Sequence, residues 1–349
     1  MSEPERALAR IDVGAIERNS ARLPGELCAV VKAEGYGHGS VQAADAALAG
    51  GATWLAVATA GEATTLRAHG ISVPILVMGA LTRAGLREAL EAEADVAAWT
   101  EEVADHAPRV HVKFDTGMGR LGTKDRDRAV ALARRPNVVG LMTHFATADE
   151  PGDDHFPRQL AAFQRFVEDV GRDDVRVHAA NSAATLREPA ARFDMVRCGV
   201  AIYGMDPFGA DPAAHGLEPA LSLHSYVAAV RRFEAGESAG YGRSWRAPAP
   251  TWVATVPIGY GDGWRRGLSN RHEVLIGGRR HRSVGTVSMD NLTVELGPET
   301  GVRVGDQVVL IGAQGQERIL AEEVARELQT INYEVTCGLS PRVRREHFR

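Results

Sequence analysis

Eight short apolar runs, each followed by a stretch of helical pattern, occupy roughly the first 220 of the chain's 349 residues and limit its fold more than any other feature. They fall at residues 28–32, 54–58, 74–78, 95–99, 110–114, 138–144, 176–179 and 195–198. Each is short enough to be a buried strand. Between them, Val41 to Leu48 runs as a helix pattern to a glycine stop at Gly50, and Leu160, Phe163 and Val167 recur at helical spacing. Strict alternation of strand and helix builds an α/β fold around a parallel sheet, and eight repeats specify a (β/α)8 TIM barrel. An open doubly wound sheet is the alternative, but no glycine-rich dinucleotide fingerprint opens this chain.

Beyond about residue 220 the texture changes. Alternating stretches at 221–231, 252–258, 284–287 and 292–296 are punctuated by Gly-Glu, Gly-Gly and Gly-Pro pairs, with one late helix at about 319–328. A mostly β C-terminal domain is expected, with the boundary in the Pro-, Gly-, Ala- and Asp-rich loop 206–219. The expected division is 7–218 for the barrel and 219–349 for the β domain, with residues 1–11 a candidate to join the latter.

Forty basic against 45 acidic side chains give a net charge of -5 with no basic block, which argues against nucleic acid as a partner and favours a small metabolite. Cys28, Cys198 and Cys337 lie far apart, so neither a disulfide framework nor a metal site is expected. No signal-peptide core and no long uncharged apolar run is visible, and a cytoplasmic protein away from membranes is the expectation.

The working residues of such a barrel stand at the C-terminal ends of its strands. Here those ends are polar. Lys32 closes the first run; Lys113 and Asp115 close the fifth; His144 closes the sixth; His178, Asn181 and Ser182 follow the seventh; Arg197 and Gly199 follow the eighth. A lysine leaving a buried strand is costly to desolvate as a cation. It either snorkels to solvent as an ordinary loop residue or is kept for chemistry as a neutral amine, for example as a Schiff base with a carbonyl cofactor. The residues alone leave both readings open. The seventh and eighth loops commonly bind phosphate; Ser182 is placed as a helix N-cap there, and Gly199 permits close backbone approach.

The stretch Val30-Val31-Lys32-Ala33-Glu34-Gly35-Tyr36-Gly37-His38-Gly39 resembles V-V-K-A-N-A-Y-G-H-G, the pyridoxal-phosphate lysine motif of alanine racemases, at eight of ten positions. Glu34 and Gly35 replace Asn and Ala. Segments 115–122 (DTGMGRLG), 143–146 (THFA), 178–182 (HAANS), 196–204 (VRCGVAIYG), 240–243 (GYGR), 257–263 (PIGYGDG), 284–290 (VGTVSMD) and 331–334 (INYE) resemble that family's motifs in the family's order. The C-terminus departs from the pattern, with Arg344 where the family usually has proline, so an altered tail is expected there.

The resemblance implies a racemase interconverting L- and D-alanine and supplying D-alanine for peptidoglycan. It implies that Lys32 carries pyridoxal 5'-phosphate, that Tyr36, Ser182, Gly199, Val200 and Tyr333 surround the phosphate with Asn181 beside them, and that Arg197 faces the pyridine nitrogen. His178 would orient Arg197, and His144 would lie near the ring. A guanidinium stays protonated and cannot hand the ring a proton, and a neutral pyridine is the weaker electron sink, which limits decarboxylation and transamination. Racemisation needs a base on each face of Cα: Lys32 is one, and Tyr241 matches the family position of the other. A tyrosine with pKa near 10 needs a nearby cation to serve. In the family the β domain covering the opposite face comes from the partner subunit, which implies a homodimer with composite active sites, Met289 and Asp290 being donated in the same way. Arg120 would bind the substrate carboxylate. Lys113 matches a lysine carbamylated in some members; an unmodified lysine paired with a carboxylate is the other reading.

Another barrel enzyme, such as a basic amino-acid decarboxylase or a serine racemase, and a non-catalytic cofactor carrier are the rivals. A decarboxylase would need an acidic group at the ring nitrogen where the sequence offers Arg197, and a carrier would lack the β domain and Tyr241. Tyr260, Met289 and Tyr333 are expected to narrow the pocket towards a methyl side chain, although apolar walls discriminate poorly against an added hydroxyl.

Overall fold

The computed structural model describes residues 5–349, which form two compact units: Ala15–Glu218, and Pro219–Arg349 together with the N-terminal stretch to Gly14. That stretch carries β1 (Leu8–Asp12). In the larger unit each of the eight apolar runs holds one strand: β2 (Leu27–Val30), β3 (Trp54–Val57), β4 (Ile75–Val77), β5 (Asp95–Ala98), β6 (Val110–Lys113), β7 (Val138–Met142), β8 (Arg176–His178) and β9 (Val196–Cys198). All neighbouring pairs are parallel, in the order β8-β7-β6-β5-β4-β3-β2-β9. A single bridge between His178 and Met195 closes the ring, so the expected (β/α)8 barrel is what forms.

Strands packed on both faces read as continuous apolar runs, and these are almost wholly buried. The helices outside them are stopped and started by local chemistry. Thr59 and Glu62 make a reciprocal capping box at the start of Ala60–Ala68, and Thr82 accepts the Gly85 N–H at the start of Arg83–Glu91. The long helix His155–Val170 buries Phe156, Leu160, Phe163, Phe166 and Val170 along one face. The barrel interior is not purely apolar: Asp95, His111, His178 and Arg197 are buried and bonded across β5, β6, β8 and β9.

The smaller unit is mostly sheet. Its strands are β10 (Leu221–Tyr226), β11 (Ala229–Phe233), the short pair β12 (Ser238–Ala239) and β13 (Trp245–Arg246), β14 (Thr251–Val256), β15 (Glu273–Ile276), β16 (Arg279–Val284), β17 (Leu292–Gly297), β18 (Gln307–Gln314), β19 (Glu317–Ile319) and β20 (Arg344–Phe348). The main sheet runs β11-β14-β17-β16-β15-β18-β10-β1-β20 with β19 beside β18. β1 is thus antiparallel to β10 and parallel to β20.

Two expectations are corrected here. The stretch 221–231 is not one strand, because the chain turns after Tyr226 and β10 and β11 have different partners. Residues 284–287 are not a strand either. β16 ends at Val284, and Gly285 adopts φ 76, a left-handed conformation that breaks the ladder. The late helix forms as Ala321–Leu328, and a second, Asn332–Cys337, follows it; the two are tied by a buried 2.8 Å bond from Asn332 Nδ2 to Glu322 Oε1. Arg344 opens β20 and donates its N–H to Ala7 O at 3.2 Å, a bond proline cannot make.

Candidate active site

Lys32 leaves β2 through an unusual turn. Val31 is still bonded to the barrel, its N–H donating to Ala56 O at 3.0 Å. Ala33, Glu34, Gly35 and Tyr36 then all take left-handed dihedrals, with φ of 52, 54, 58 and 54°. Such a conformation costs about 1–2 kcal/mol for each non-glycine residue, so the surroundings must impose it. The Glu62 carboxylate accepts the Ala33 N–H at 2.7 Å with one oxygen and the Ala58 and Thr59 N–H groups at 2.8 and 3.0 Å with the other. Gly37 and Gly39 N–H groups close the turn onto Ala33 O (3.0 Å) and Glu34 O (2.8 Å). His38 Nδ1 donates to Gly35 O and Tyr36 O while its ring stacks on Tyr203 at 4.5 Å, and Tyr203 Oη donates to Val30 O at 3.0 Å. Gly35 suits this turn: a Cβ there would lie 3.1 Å from Ala43 Cβ in addition to the left-handed φ. Lys32 is thereby held half-buried at the barrel mouth.

Beside it lies a small polar cradle. A Cβ on Gly199 would stand 2.3 Å from Tyr36 Oη, so only glycine lets that hydroxyl rest against the backbone that begins the 3-10 turn Val200–Tyr203. Ser182 Oγ reaches the same turn, accepting the Ala201 N–H at 3.3 Å. Ser182 is not the helix cap expected of it. Asn181 caps Ser182–Arg187, accepting the Ala184 N–H at 2.9 Å, which leaves the Ser182 hydroxyl directed to the cradle. A phenol, a serine hydroxyl and a helical turn's leading N–H groups are a donor set that fits a phosphate. Gly199→Ala is expected to destabilise the fold by about 1–3 kcal/mol through overpacking against Tyr36. Denaturant unfolding would show this as a lower midpoint, and an unchanged midpoint would mean the cradle is looser than described.

Arg197 is buried at the barrel's centre. Nη1 donates to His178 Nδ1 at 2.8 Å; Nη2 donates to Thr143 O at 2.7 Å and Ala179 O at 3.0 Å and lies 3.4 Å from His144 Nδ1. Among the described residues it has no carboxylate partner. Burial brings its pKa down to about 10, which leaves it a cation at neutral pH. Burial, then the charge of Arg197, hold His178 and His144 well below the ordinary imidazole value, so both rings are neutral. Lys113 is pulled down to about 8, first by burial and then by Arg197 and Arg120, and its amine has no hydrogen-bond or ion-pair partner among the described residues. Arg120 is exposed at the end of a loop wound around Asp115, whose carboxylate accepts the Gly117, Met118 and Gly119 N–H groups at 2.8–3.1 Å. The barrel unit thus gathers Lys32, Tyr36, Lys113, Arg120, His144, His178, Asn181, Ser182, Arg197, Gly199 and Val200 at its strand ends.

The remaining expected residues belong to the sheet unit. Tyr241 is 73% exposed on the 3-10 turn Tyr241–Arg243, whose backbone is tied by Thr286 Oγ1 donating to Tyr241 O at 2.8 Å. Tyr260 and Met289 are exposed and sit side by side, the Tyr260 N–H donating to Ser288 O at 3.0 Å and the Gly261 N–H to Met289 O at 2.9 Å. Arg342 holds Asp290 at 2.6 Å and also contacts buried Asp262, which Arg6 grips as well. Tyr333 stands half-buried on Asn332–Cys337.

Sequence reasoning missed Glu62, Gln159, His111 and Asp95. Gln159 is wholly buried, accepting the Ala146 N–H at 2.8 Å and donating to His144 O and Thr116 Oγ1 at 3.2 Å. A glutamine inside an otherwise apolar helix face, and a histidine and an aspartate inside apolar strands, were the available signals. Among the described residues no three His, Cys, Asp or Glu side chains are grouped to hold a metal ion, and no helix is long and apolar enough to cross a membrane.

A parallel eight-stranded barrel with cations at its mouth, followed by a mostly antiparallel sheet unit, is the class to which the chain conforms. Residues 11–207 match the family model for the alanine racemase N-terminal domain and residues 220–347 that for the C-terminal domain. The alanine racemase of Geobacillus stearothermophilus is 44% identical across 98% of this chain and 93% of its own, and that of Symbiobacterium thermophilum is 42% identical across 97% and 96%. The solved alanine racemase of E. faecalis superposes with a TM-score of 0.92 at 38% identity, covering 99% of this chain and 98% of its own. That of Bacillus anthracis, solved with bound L-Ala-P, does so at 0.89 and 38%, covering 99% and 95%. The chain belongs to the alanine racemase family.

Proposed function

We propose that this protein interconverts L- and D-alanine with pyridoxal 5'-phosphate carried on Lys32, using Lys32 and Tyr241 as its two bases. The observation that carries the reading is the seat of Arg197, a buried cation bonded among the described residues to neutral acceptors, where an enzyme built for strong electron withdrawal would present a carboxylate. The cofactor, when bound, supplies an electron sink that acidifies the α C–H of an amino acid joined to it. Arg197 donates hydrogen bonds but no proton, which keeps that sink weak and the chemistry confined to proton exchange at Cα. Tyr36, Ser182 and the backbone at Gly199 and Val200 hold the phosphate, with Asn181 and Tyr333 beside them. His144, being neutral, can lie near the ring without adding charge. Arg120 binds the substrate carboxylate. The Lys32 amine takes or returns a proton on one face of Cα, and the Tyr241 phenol does so on the other. Tyr260 and Met289 narrow the space to a methyl group. Optical rotation of each L-amino acid, incubated with protein and cofactor, tests the whole: rotation should vanish fastest for L-alanine, and no loss with any amino acid would overturn it.

The exposed Tyr241, Tyr260 and Met289 leave large apolar side chains in solvent on the sheet unit, as suits a surface buried by a second copy. We infer a homodimer in which one subunit's Tyr241, Met289 and Asp290 complete the other's barrel site. Mixing inactive Lys32→Ala with inactive Tyr241→Phe, then exchanging subunits, should restore about a quarter of wild-type activity, because half the dimers are mixed and each has one intact site. No recovery after verified exchange would contradict composite sites. The reading carries with it a cytoplasmic supply of D-alanine for peptidoglycan.

Lys113 is suited to carbamylation. With a pKa of about 8 a useful fraction is neutral amine near pH 7–8, able to bond its nitrogen to CO2 and release a proton to solvent. The anion formed would face Arg197, Arg120 and Lys32. Unmodified, Lys113 has a folded pKa below its unfolded 10.5, so the unfolded chain binds more protons between about pH 8 and 10.5 and stability should rise with pH across that window. In CO2-free buffer the wild type should gain stability relative to Lys113→Met over that window. Carbon-13 bicarbonate should add a carbamate resonance absent from the variant, and its absence from the wild type would remove the carbamate.

A further inference from the structure

A line of buried polar groups runs from Arg197 through the barrel to the opposite ends of the strands. Arg197 Nη1 donates to His178 Nδ1 at 2.8 Å; His178 Nε2 lies 2.7 Å from His111 Nδ1; His111 Nε2 lies 3.1 Å from Asp95 Oδ2. Asp95 is held in turn by Arg109, whose Nε and Nη2 donate to Oδ1 and Oδ2 at 2.7 and 3.1 Å. Asp95 is the first residue of β5, and Arg109 immediately precedes β6, so the line ends at the rim away from Lys32.

The direction of every bond is dictated by its ends. A guanidinium only donates, so His178 Nδ1 must accept and its proton sits on Nε2, donating to His111 Nδ1. His111 therefore also carries its proton on Nε2 and donates it to Asp95. A carboxylate at the far end is the acceptor this order requires. Burial holds both imidazoles below their ordinary pKa, so the His111–Asp95 contact is a neutral donor on an anion rather than an ion pair. For Asp95, burial alone would raise the pKa, but the bonds from His111 and Arg109 outweigh it and leave it lowered.

The barrel makes room for this line at a cost in side-chain packing. A Cβ on Gly140 of β7 would lie 2.2 Å from His111 Nδ1 and 2.6 Å from Cε1, so Gly140 is empty because the imidazole fills its place. Trp54 closes the other side, its ring edge-on to His111 at 5.6 Å. Also near the line are the thiols of Cys28 and Cys198, pushed up to about 12 and about 11 by burial and so uncharged, and the charges of Arg176, acting on His178, and of Lys113, beside Arg197.

We propose that Asp95 and His111 are positioning residues for Arg197: together they fix the tautomer of His178 so that it can only accept from the guanidinium. The inference deepens the proposed function, since it rests on Arg197 facing the cofactor's ring nitrogen. Without the Asp95 acceptor, either ring can move its proton to Nδ1, and on His178 that proton would oppose the Arg197 N–H. Arg197 would lose a hydrogen bond made by a buried cation, a loss of roughly tenfold or more in rate if it is felt in the transition state.

The test is nitrogen-15 NMR of the imidazoles in cofactor-loaded protein, read beside alanine racemisation and thermal unfolding. In the wild type both His111 and His178 should be neutral and protonated on Nε2; a protonated Nδ1 or an imidazolium at either ring overturns the relay whatever the variants do. Asp95→Ala should mix the tautomers of both rings and lower kcat about tenfold with KM within about twofold. Asp95→Asn, which keeps an acceptor oxygen without the charge, should retain the tautomers and fall between, and it serves if the alanine variant does not fold. Gly140→Ala should disturb His178 with Asp95 untouched, whereas Arg109→Ala should leave both ring patterns as they are. Lower thermal stability in Asp95→Ala with unchanged rings and kcat would make Asp95 only a strand anchor and sink the proposal. Wild-type rings as described in a protein without racemase activity would instead fault the proposed function and leave the relay standing.

Discussion

Lys32→Ala is expected to lower racemisation by at least about 10⁴-fold, the upper range for a positioned acid–base group, because the variant also loses the amine that attaches the cofactor. The loss should be chemical rather than structural. Lys32 is half-buried at a turn whose left-handed conformation is tied down by the Glu62 carboxylate, the His38 ring and the backbone of Gly37 and Gly39. Alanine should keep that turn and the unfolding midpoint should stay near wild type, while the visible absorbance of lysine-bound cofactor disappears. Retained colour with retained activity would take the central role from Lys32.

Tyr241→Phe carries the second largest effect. The hydroxyl stands on a 73% exposed side chain whose turn is held through its backbone oxygen, so removing it should leave the sheet unit's stability unchanged. Its catalytic cost should be about 10²–10⁴-fold and, unlike that of Lys32→Ala, unequal for the two enantiomers. Each base meets the α-hydrogen of only one of them. Exchange of solvent deuterium into one enantiomer of alanine should collapse while exchange into the other continues through Lys32. Equal loss for both would count against one base per face.

The barrel was legible because strands covered on both faces cannot alternate: 54–58 and 74–78 show as unbroken apolar runs, trimmed by a residue or two in the structure. The strand-end residues were legible for the same reason, as polar groups punctuating those runs. What stayed hidden was polar chemistry inside the runs. Asp95 stands at a strand's first position and His111 within Val-His-Val-Lys, places where a polar side chain is ordinarily solvated, yet both are buried. Nothing in Ala33-Glu34-Gly35-Tyr36 announces four successive left-handed residues, since three of them are not glycine and the surroundings that compel the turn, above all Glu62, lie elsewhere in the chain. The sheet unit was read only in outline. Its strands alternate, so a turn such as that after Tyr226 or the left-handed Gly285 interrupts a pattern that otherwise continues. The cap falls on Asn181 rather than the expected Ser182 because Asn and Ser are equally good caps and stand side by side.

In the proposed reaction protons leave and reach Cα from opposite sides, each by its own group. Single-turnover conversion of L-alanine by the loaded wild-type enzyme in deuterium oxide, with mass analysis of the D-alanine formed, reads this directly. The product should carry solvent deuterium at Cα almost without exception, and D-alanine that retains the hydrogen of the L-alanine it came from would contradict a base on each face.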